Sequence, residues 1–161
     1  MNKELTFRMA KAGDGKLILE FTHKLAEFLK SEHEVEATEE LFEKWMFDKK
    51  TAEAFFPVVD GKEVGFTLFA TSFSSFLSKP VFYLGDIYVE PEYRNLNVGK
   101  KCLQELSRIA SERGYGRIEW SCLDWNESAI QFYHNLGAEP MSDSTTYHLG
   151  EELFKELAND E

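Results

Sequence analysis

Cysteine is scarce in this chain. The two present among 161 residues, Cys102 and Cys122, show no ligand spacing and cannot build a disulfide framework, so both read as reduced residues inside elements. His23, His33, His134 and His148 form no pair at metal-site spacing, and no metal is expected. Positive charge is short as well: 18 Lys and Arg stand against 29 Asp and Glu, a formal net charge of −11. That balance argues against nucleic acid as a partner, because a phosphate backbone is held by clustered Lys and Arg that displace counterions. No apolar run approaches the roughly 18 residues of a membrane span, and Met1-Asn2-Lys3-Glu4 lacks the apolar stretch of a signal peptide. The expectation is a soluble, cytoplasmic protein with no membrane partner. Two phosphate-binding fingerprints are missing too. There is no G-x-G-x-x-G, and Gly99-Lys100 is followed by Lys101 where a nucleotide P-loop needs Ser or Thr.

What is present suits one globular domain spanning residues 1–161, long enough for a sizeable core, with 43% hydrophobic and 14% aromatic residues. The acidic excess keeps such a chain soluble, and it also attracts small cationic partners over distance.

Taken in order, Leu5 to Met9 reads as a strand, and Gly13-Asp14-Gly15 breaks it. Leu17, Phe21, Leu25, Phe28 and Leu29 recur at helical spacing. Thr38 can cap a second helix that buries Leu41, Phe42, Trp45 and Met46. The glutamates between Glu32 and Glu43 form either a solvated face or one wall of a site for an amine. Phe55–Val59 and Val64–Phe73 are β-rich runs around the hairpin signal Asp60-Gly61, and Val81–Val89 is the next strand. A helix follows from Gly99 to Arg113, stopped by Gly114, then a strand over Arg117–Leu123. Asn126 can cap a further helix that turns Ala129, Ile130, Phe132, Tyr133 and Leu136 to the core. Thr145–Leu149 is expected as a last strand and Glu151–Leu157 as a terminal helix. The order describes an α/β sandwich around a mixed sheet.

Asp86 to Lys100 is the organising stretch: a strand ending at Pro91, a polar turn, and a helix start at Gly99. A helix start leaves its first N–H groups unpaired and carries partial positive charge, so a loop leading into one can hold a phosphate. Gly99 permits close approach, Asn97 tolerates a left-handed backbone, and Arg94 and Lys100 add positive charge.

Three segments carry a resemblance: the strand Asp86-Ile87-Tyr88-Val89, the loop Arg94-x-x-Asn97-x-Gly99, and Asn126-Glu127-Ser128-Ala129-Ile130-Gln131-Phe132-Tyr133-His134-Asn135-Leu136-Gly137-Ala138. Together they resemble the GCN5-related N-acetyltransferase (GNAT) superfamily, most of all its spermidine/spermine (diamine) branch. The resemblance implies a mixed, mostly antiparallel sheet with splayed central strands, flanked by helices. It implies an acetyl-CoA-dependent N-acetyltransferase acting on a primary amine of a small cationic acceptor (polyamine, diamine or thialysine-like), and a homodimer; the alternatives are another amine acceptor (a peptide N-terminus, an amino sugar or an antibiotic) and a coenzyme A-binding module without turnover.

By the same resemblance, the amides of Asn95, Leu96, Asn97, Val98, Gly99 and Lys100, with Arg94, grip the pyrophosphate of acetyl-CoA. Ile87, Tyr88 and Val89 pair with the pantetheine arm, and Asn126, Glu127, Ser128 and Ala129 touch its far end. Glu119, Trp120 and Ser121 fall at acceptor contacts, as does the turn near Phe28 and Leu29. The reaction must deprotonate an ammonium, polarise a thioester carbonyl and protonate a departing thiolate. Tyr133 matches the family's general acid. Two departures stand out: Asn97 replaces the loop's first glycine, and Gly85 stands where the diamine branch carries a glutamate before the motif aspartate. Asp86, or Glu119 on the partner strand, is then left to draw the amine or relay its proton through water.

Overall fold

The computed structural model describes residues 4–160, and the chain divides into two compact units, up to Ser121 and from Cys122. The first unit holds the sheet. Its strands are β1 (Leu5–Met9), β2 (Glu53–Val59), β3 (Lys62–Glu63), β4 (Gly65–Ser74), β5 (Lys79–Val89) and β6 (Ile118–Glu119). The order across the sheet is β1-β2-β4-β5-β6, with β3 pairing β2, and only the β5–β6 contact is parallel. Asp60 and Gly61 both take positive φ (51° and 79°), the mirror-image turn that matches strand twist, so the hairpin forms where the sequence signals it.

Helix α1 (Gly15–Phe28) and a second helical stretch, α2 (Glu39–Phe42) running into a π-helical turn over Glu43–Asp48, cover one face of the sheet. Ile18, Phe21 and Met46 pack there with Ala54, Phe56, Phe66 and Tyr88. Helix α3 (Val98–Arg113) belongs to the other face, burying Val98, Cys102, Leu103, Leu106, Ile109 and Ala110. On that face a ladder of rings runs Phe7–Phe55–Phe69–Phe82–Tyr115 at centroid distances of 4.6–5.8 Å, each pair adding about 0.5–1.5 kcal/mol to simple burial. Gly65 is required by close approach, since a Cβ there would lie 2.1 Å from the Tyr88 carbonyl oxygen.

The second unit comprises α4 (Glu127–Asn135) and α5 (Glu151–Asn159), neither with a fully buried residue. Thr38 and Asn126 cap as expected: the Thr38 hydroxyl accepts from the Leu41 N–H at 3.1 Å, and the Asn126 side chain from Ala129 N–H at 3.4 Å.

Four expectations need correction. Leu41, in the α-helical turn, is exposed, and Trp45 is exposed beside buried Met46, the latter because the π-turn widens the helical repeat beyond the α-helical period. The strand over Arg117–Leu123 shrinks to Ile118–Glu119, since β5 offers it partners only at Phe82 and Tyr83. Thr145–Leu149 forms no strand; every residue from 139 to 150 is exposed, and an alternating pattern without a neighbouring ladder is only extended chain. Ala129, Ile130, Phe132 and Tyr133 are half-buried and Leu136 is exposed, so α4 does not bury an apolar stripe.

Candidate active site

Strand β5 sets the site's geometry through one irregularity. Phe66, Thr67 and Leu68 face Tyr88, Ile87 and Asp86, but Phe69 faces Leu84, so Gly85 is one residue in excess. Such a bulge bends a strand and re-aims the side chains beyond it. On the other side β5 holds β6 only at Phe82 and Tyr83; from Leu84 to Val89 it has no ladder partner there among the described residues. The two strands therefore part, leaving backbone groups of Ile87, Tyr88 and Val89 along an edge that an extended arm can join.

Asp86 lies in this parted stretch. By register it shares a face with Leu68, Phe66 and Tyr88, the face covered by α1 and α2. Burial pushes its carboxyl above the ordinary aspartate range, and among the described residues no hydrogen bond or ion pair reaches it. A carboxylate held this way is suited to a cationic ligand or a proton. Glu119 differs: it is paired with Arg117 at 2.7 Å. Trp120 is half-buried, and the Ser121 hydroxyl lies 3.3 Å from the Tyr83 hydroxyl. A Cβ at Gly85 would meet only Leu68, at 3.4 Å, so the missing glutamate leaves usable space.

Beyond β5 the chain makes a 3-10 turn, Pro91–Leu96, then Asn97 at φ 58°, ψ 27°. That is the left-handed conformation in which asparagine replaces glycine at least cost. No side chain caps α3 at Asn97, so its first-turn N–H groups at Val98, Gly99 and Lys100 keep their outward hydrogen-bonding capacity, with the positive end of the helix dipole behind them. Val98, 1% exposed, anchors the turn, and nothing crowds Gly99. Arg94 is already engaged. Its Nε donates to the Val89 carbonyl at 2.9 Å, and its guanidinium lies 4.9 Å from the Phe28 ring and 5.6 Å from the Tyr88 ring.

In the second unit, Asn126 and Ser128 are tied together, the Ser128 hydroxyl donating to Asn126 Oδ1 at 3.2 Å. Ala129 spends its N–H on the same cap, while Glu127 is exposed. Tyr133 is half-buried, and burial, with the nearby Cys122 sulfur adding to it, pushes its phenol up, so it stays protonated through the neutral range.

Three features escaped the sequence reasoning. The bulge was signalled by an isolated glycine inside a strand pattern. The Glu90 cluster, in which the carboxylate pairs with Lys24 and accepts from the Tyr88 hydroxyl at 3.4 Å, had no local signal. Of the acidic run, Glu43 bonds the N–H groups of Gly13 and Gly15 at 2.7 and 3.2 Å and so fixes the start of α1; Glu32, Glu34 and Glu36 are exposed.

A sheet edge left open beside a bulge, followed by an uncapped helix start, offers an extended ligand arm a strand to pair with and an anion a set of amides. Residues 19–138 match the acetyltransferase (GNAT) family model, and the chain belongs to that family. It is an N-acetyltransferase using acetyl-CoA. It is 31% identical to a thialysine N-epsilon-acetyltransferase of Sus scrofa, with 94% of this chain and 95% of the relative covered. It is 43% identical to the L-ornithine N5-acetyltransferase NATA1 of Arabidopsis thaliana over 75 residues, 47% of this chain and 33% of that protein. Its fold is also that of aminoglycoside N-acetyltransferase AAC(6')-Iy in complex with CoA, at TM-score 0.72 and 16% identity, over 92% of this chain and 97% of the other.

Proposed function

We propose that this enzyme acetylates the primary amine at the end of a small cationic acceptor, a thialysine-like amino acid, a diamine or a polyamine. The observation that carries the reading is Asp86, a desolvated carboxylate without a partner among the described residues, in the parted segment of β5. The similarity to thialysine and ornithine acetyltransferases supports the same acceptor class.

Each residue then has a role. Amides from Asn95 to Lys100 hold the pyrophosphate of acetyl-CoA, and the backbone of Ile87, Tyr88 and Val89 aligns its arm, with one of those N–H groups polarising the thioester carbonyl. Asp86 draws the ammonium and takes its proton, directly or through water. The neutral amine attacks the carbonyl carbon, the C–S bond breaks, and the Tyr133 phenol protonates the leaving thiolate. Glu119, held by Arg117, and Trp120 and Ser121 shape the acceptor end. The enzyme works in the cytoplasm as a homodimer. A dimer is supported by the apolar residues Leu153, Phe154 and Leu157 left exposed on α5.

Release of thiol from acetyl-CoA over a panel of polyamines, diamines, thialysine, ornithine, amino sugars and peptide N-termini tests this reading. Turnover is expected with the first four classes. Turnover confined to amino sugars or peptides refutes the acceptor assignment, and coenzyme A binding without turnover on any amine refutes the reaction.

A further inference from the structure

We infer that Arg117 binds the α-carboxylate of the acceptor, so that the preferred substrates are amino acids ending in a primary amine, ahead of diamines and polyamines. This deepens, and rests on, the proposed role of Asp86. Register places the two residues on one face of the sheet. Ala70 of β4 opposes Tyr83, and Tyr83 opposes Glu119 of β6. Ala70 alternates with Leu68, which opposes Asp86, so Tyr83, Glu119 and Asp86 share a face. Arg117 turns its side chain the same way, its Nε lying 2.7 Å from Glu119 Oε1. Its carbonyl accepts from the Phe82 N–H at 2.9 Å, while its two terminal nitrogens meet no partner among the described residues. Between this pair and Asp86 lies Tyr83, 44% exposed, its hydroxyl 3.3 Å from that of Ser121.

The face thus offers, in sequence, a guanidinium beside a carboxylate, an open aromatic ring, and a second carboxylate with no countercharge among the described residues. An amino acid with a terminal amine is the complement: a carboxylate and an α-ammonium at one end, methylenes or a thioether in the middle, an ammonium at the other. The lengths agree. With Gly85 as the residue in excess, Asp86 stands two ladder positions beyond Tyr83, hence ~7 Å along the sheet from the Glu119 pairing and one strand, ~5 Å, across it. Ornithine, lysine or thialysine spans that diagonal when extended. Arginine suits the anion, because its planar fork can give one N–H to Glu119 and still present others to a carboxylate. A diamine or polyamine has no anion to offer it, and brings a second ammonium against a guanidinium of like charge. In a chain of net charge −11, whose acidic excess already draws cations, a cation on this face separates an amino acid from a simple diamine.

Thiol release with matched acceptors tests the inference: ornithine against putrescine, lysine against cadaverine, thialysine against its decarboxylated form, and lysine against lysinamide, which replaces only the anion by a neutral amide. In wild type the carboxylate member of each pair should have the higher kcat/KM, by about tenfold for a charge-assisted bond at an exposed site, and mostly through KM. Arg117→Ala should remove that preference, and Arg117→Lys, which keeps the charge without the fork, should restore part of it. Wild-type kcat/KM values that are equal across the pairs, or that favour the diamines, overturn the inference. So does an Arg117→Ala variant that keeps the preference or loses activity equally on both members. Should Arg117→Ala not fold, the comparison of lysine with lysinamide in wild type alone decides. Turnover of diamines without preference for the amino acids refutes Arg117 and leaves Asp86 standing; if no member of any pair is acetylated, the proposed function fails and the inference with it.

Discussion

Replacing Asp86 by asparagine should make the protein more stable and a far worse enzyme. The wild-type carboxylate is desolvated and has no countercharge among the described residues, so its ionised form is disfavoured in the folded state. The isosteric amide keeps the shape and removes the charge. We expect a gain of about 1 kcal/mol at neutral pH, which for a domain of this size raises Tm by about 2–4 °C. The pH dependence gives the direction independently. Because folding raises this group's pKa, its contribution to stability is fully present below the unfolded value of about 3.9 and is lost as pH rises through the higher folded value. The advantage of asparagine should therefore be seen at neutral pH and vanish toward that acidic limit. In steady-state assays, kcat/KM for the amine should drop by about 10²-fold or more, with KM for acetyl-CoA unchanged. A variant that melts below wild type would mean that the carboxylate is paired in the native protein. Undiminished acetylation would remove Asp86 from the reaction.

Tyr133→Phe should lower kcat by about 10²–10⁴-fold with little change in coenzyme A affinity by calorimetry; equal losses in both would return Tyr133 to a packing role. Since its phenol is pushed above the ordinary tyrosine range by burial, wild-type turnover should hold through neutral pH and fall only on the alkaline side, a limb that Tyr133→Phe should lack. At Asn97, with φ 58°, glycine should gain up to about 1 kcal/mol and keep coenzyme A affinity, while valine should cost about 1–2 kcal/mol; thermal melts with a binding titration check both. Gly85→Glu should fold with an unchanged melt, because its Cβ meets Leu68 at an ordinary 3.4 Å. It should raise the kcat/KM of polyamines relative to singly charged acceptors about tenfold, equivalent to ~1.4 kcal/mol.

Local rules made much of the fold legible. The α3 face from Cys102 to Ala110 follows the helical period, Asn126 and Thr38 cap where their side chains permit, and Asn97 adopts the backbone that asparagine tolerates. What failed depended on partners distant in sequence. Alternation at Arg117–Leu123 and at Thr145–Leu149 looked like strand, yet a strand exists only where a neighbour supplies a ladder, and β5 supplies β6 with two residues. Trp45 was assigned to a buried face by a 3.6-residue period that a π-turn does not keep. At the proposed site, the shape of the turn was readable because Asn97 announces its left-handed backbone. The charge of Arg94 is visible in sequence, whereas its contacts with Phe28 and Tyr88 arise only in the folded chain.

The bulge at Gly85 bears on both halves of the proposed site through one shift of register. In a regular ladder continued from Phe69–Leu84, Asp86 would stand opposite Thr67, which is fully buried on the α3 side of the sheet beside Phe55. A carboxylate there would face an apolar core. The extra residue shifts the register by one, and since side chains alternate, every position from Asp86 to Val89 changes face. Asp86 thereby moves to the side of α1 and α2, and Tyr88 enters the cluster with Phe21 and Phe66. The same residue marks where β5 has left β6, whose last pairing is at Tyr83. One inserted glycine thus decides which face of the sheet Asp86 and Tyr88 occupy. On the proposed function only the acceptor side depends also on the side chain at the bulge, so Gly85→Glu should alter the choice of amine and leave coenzyme A affinity unchanged.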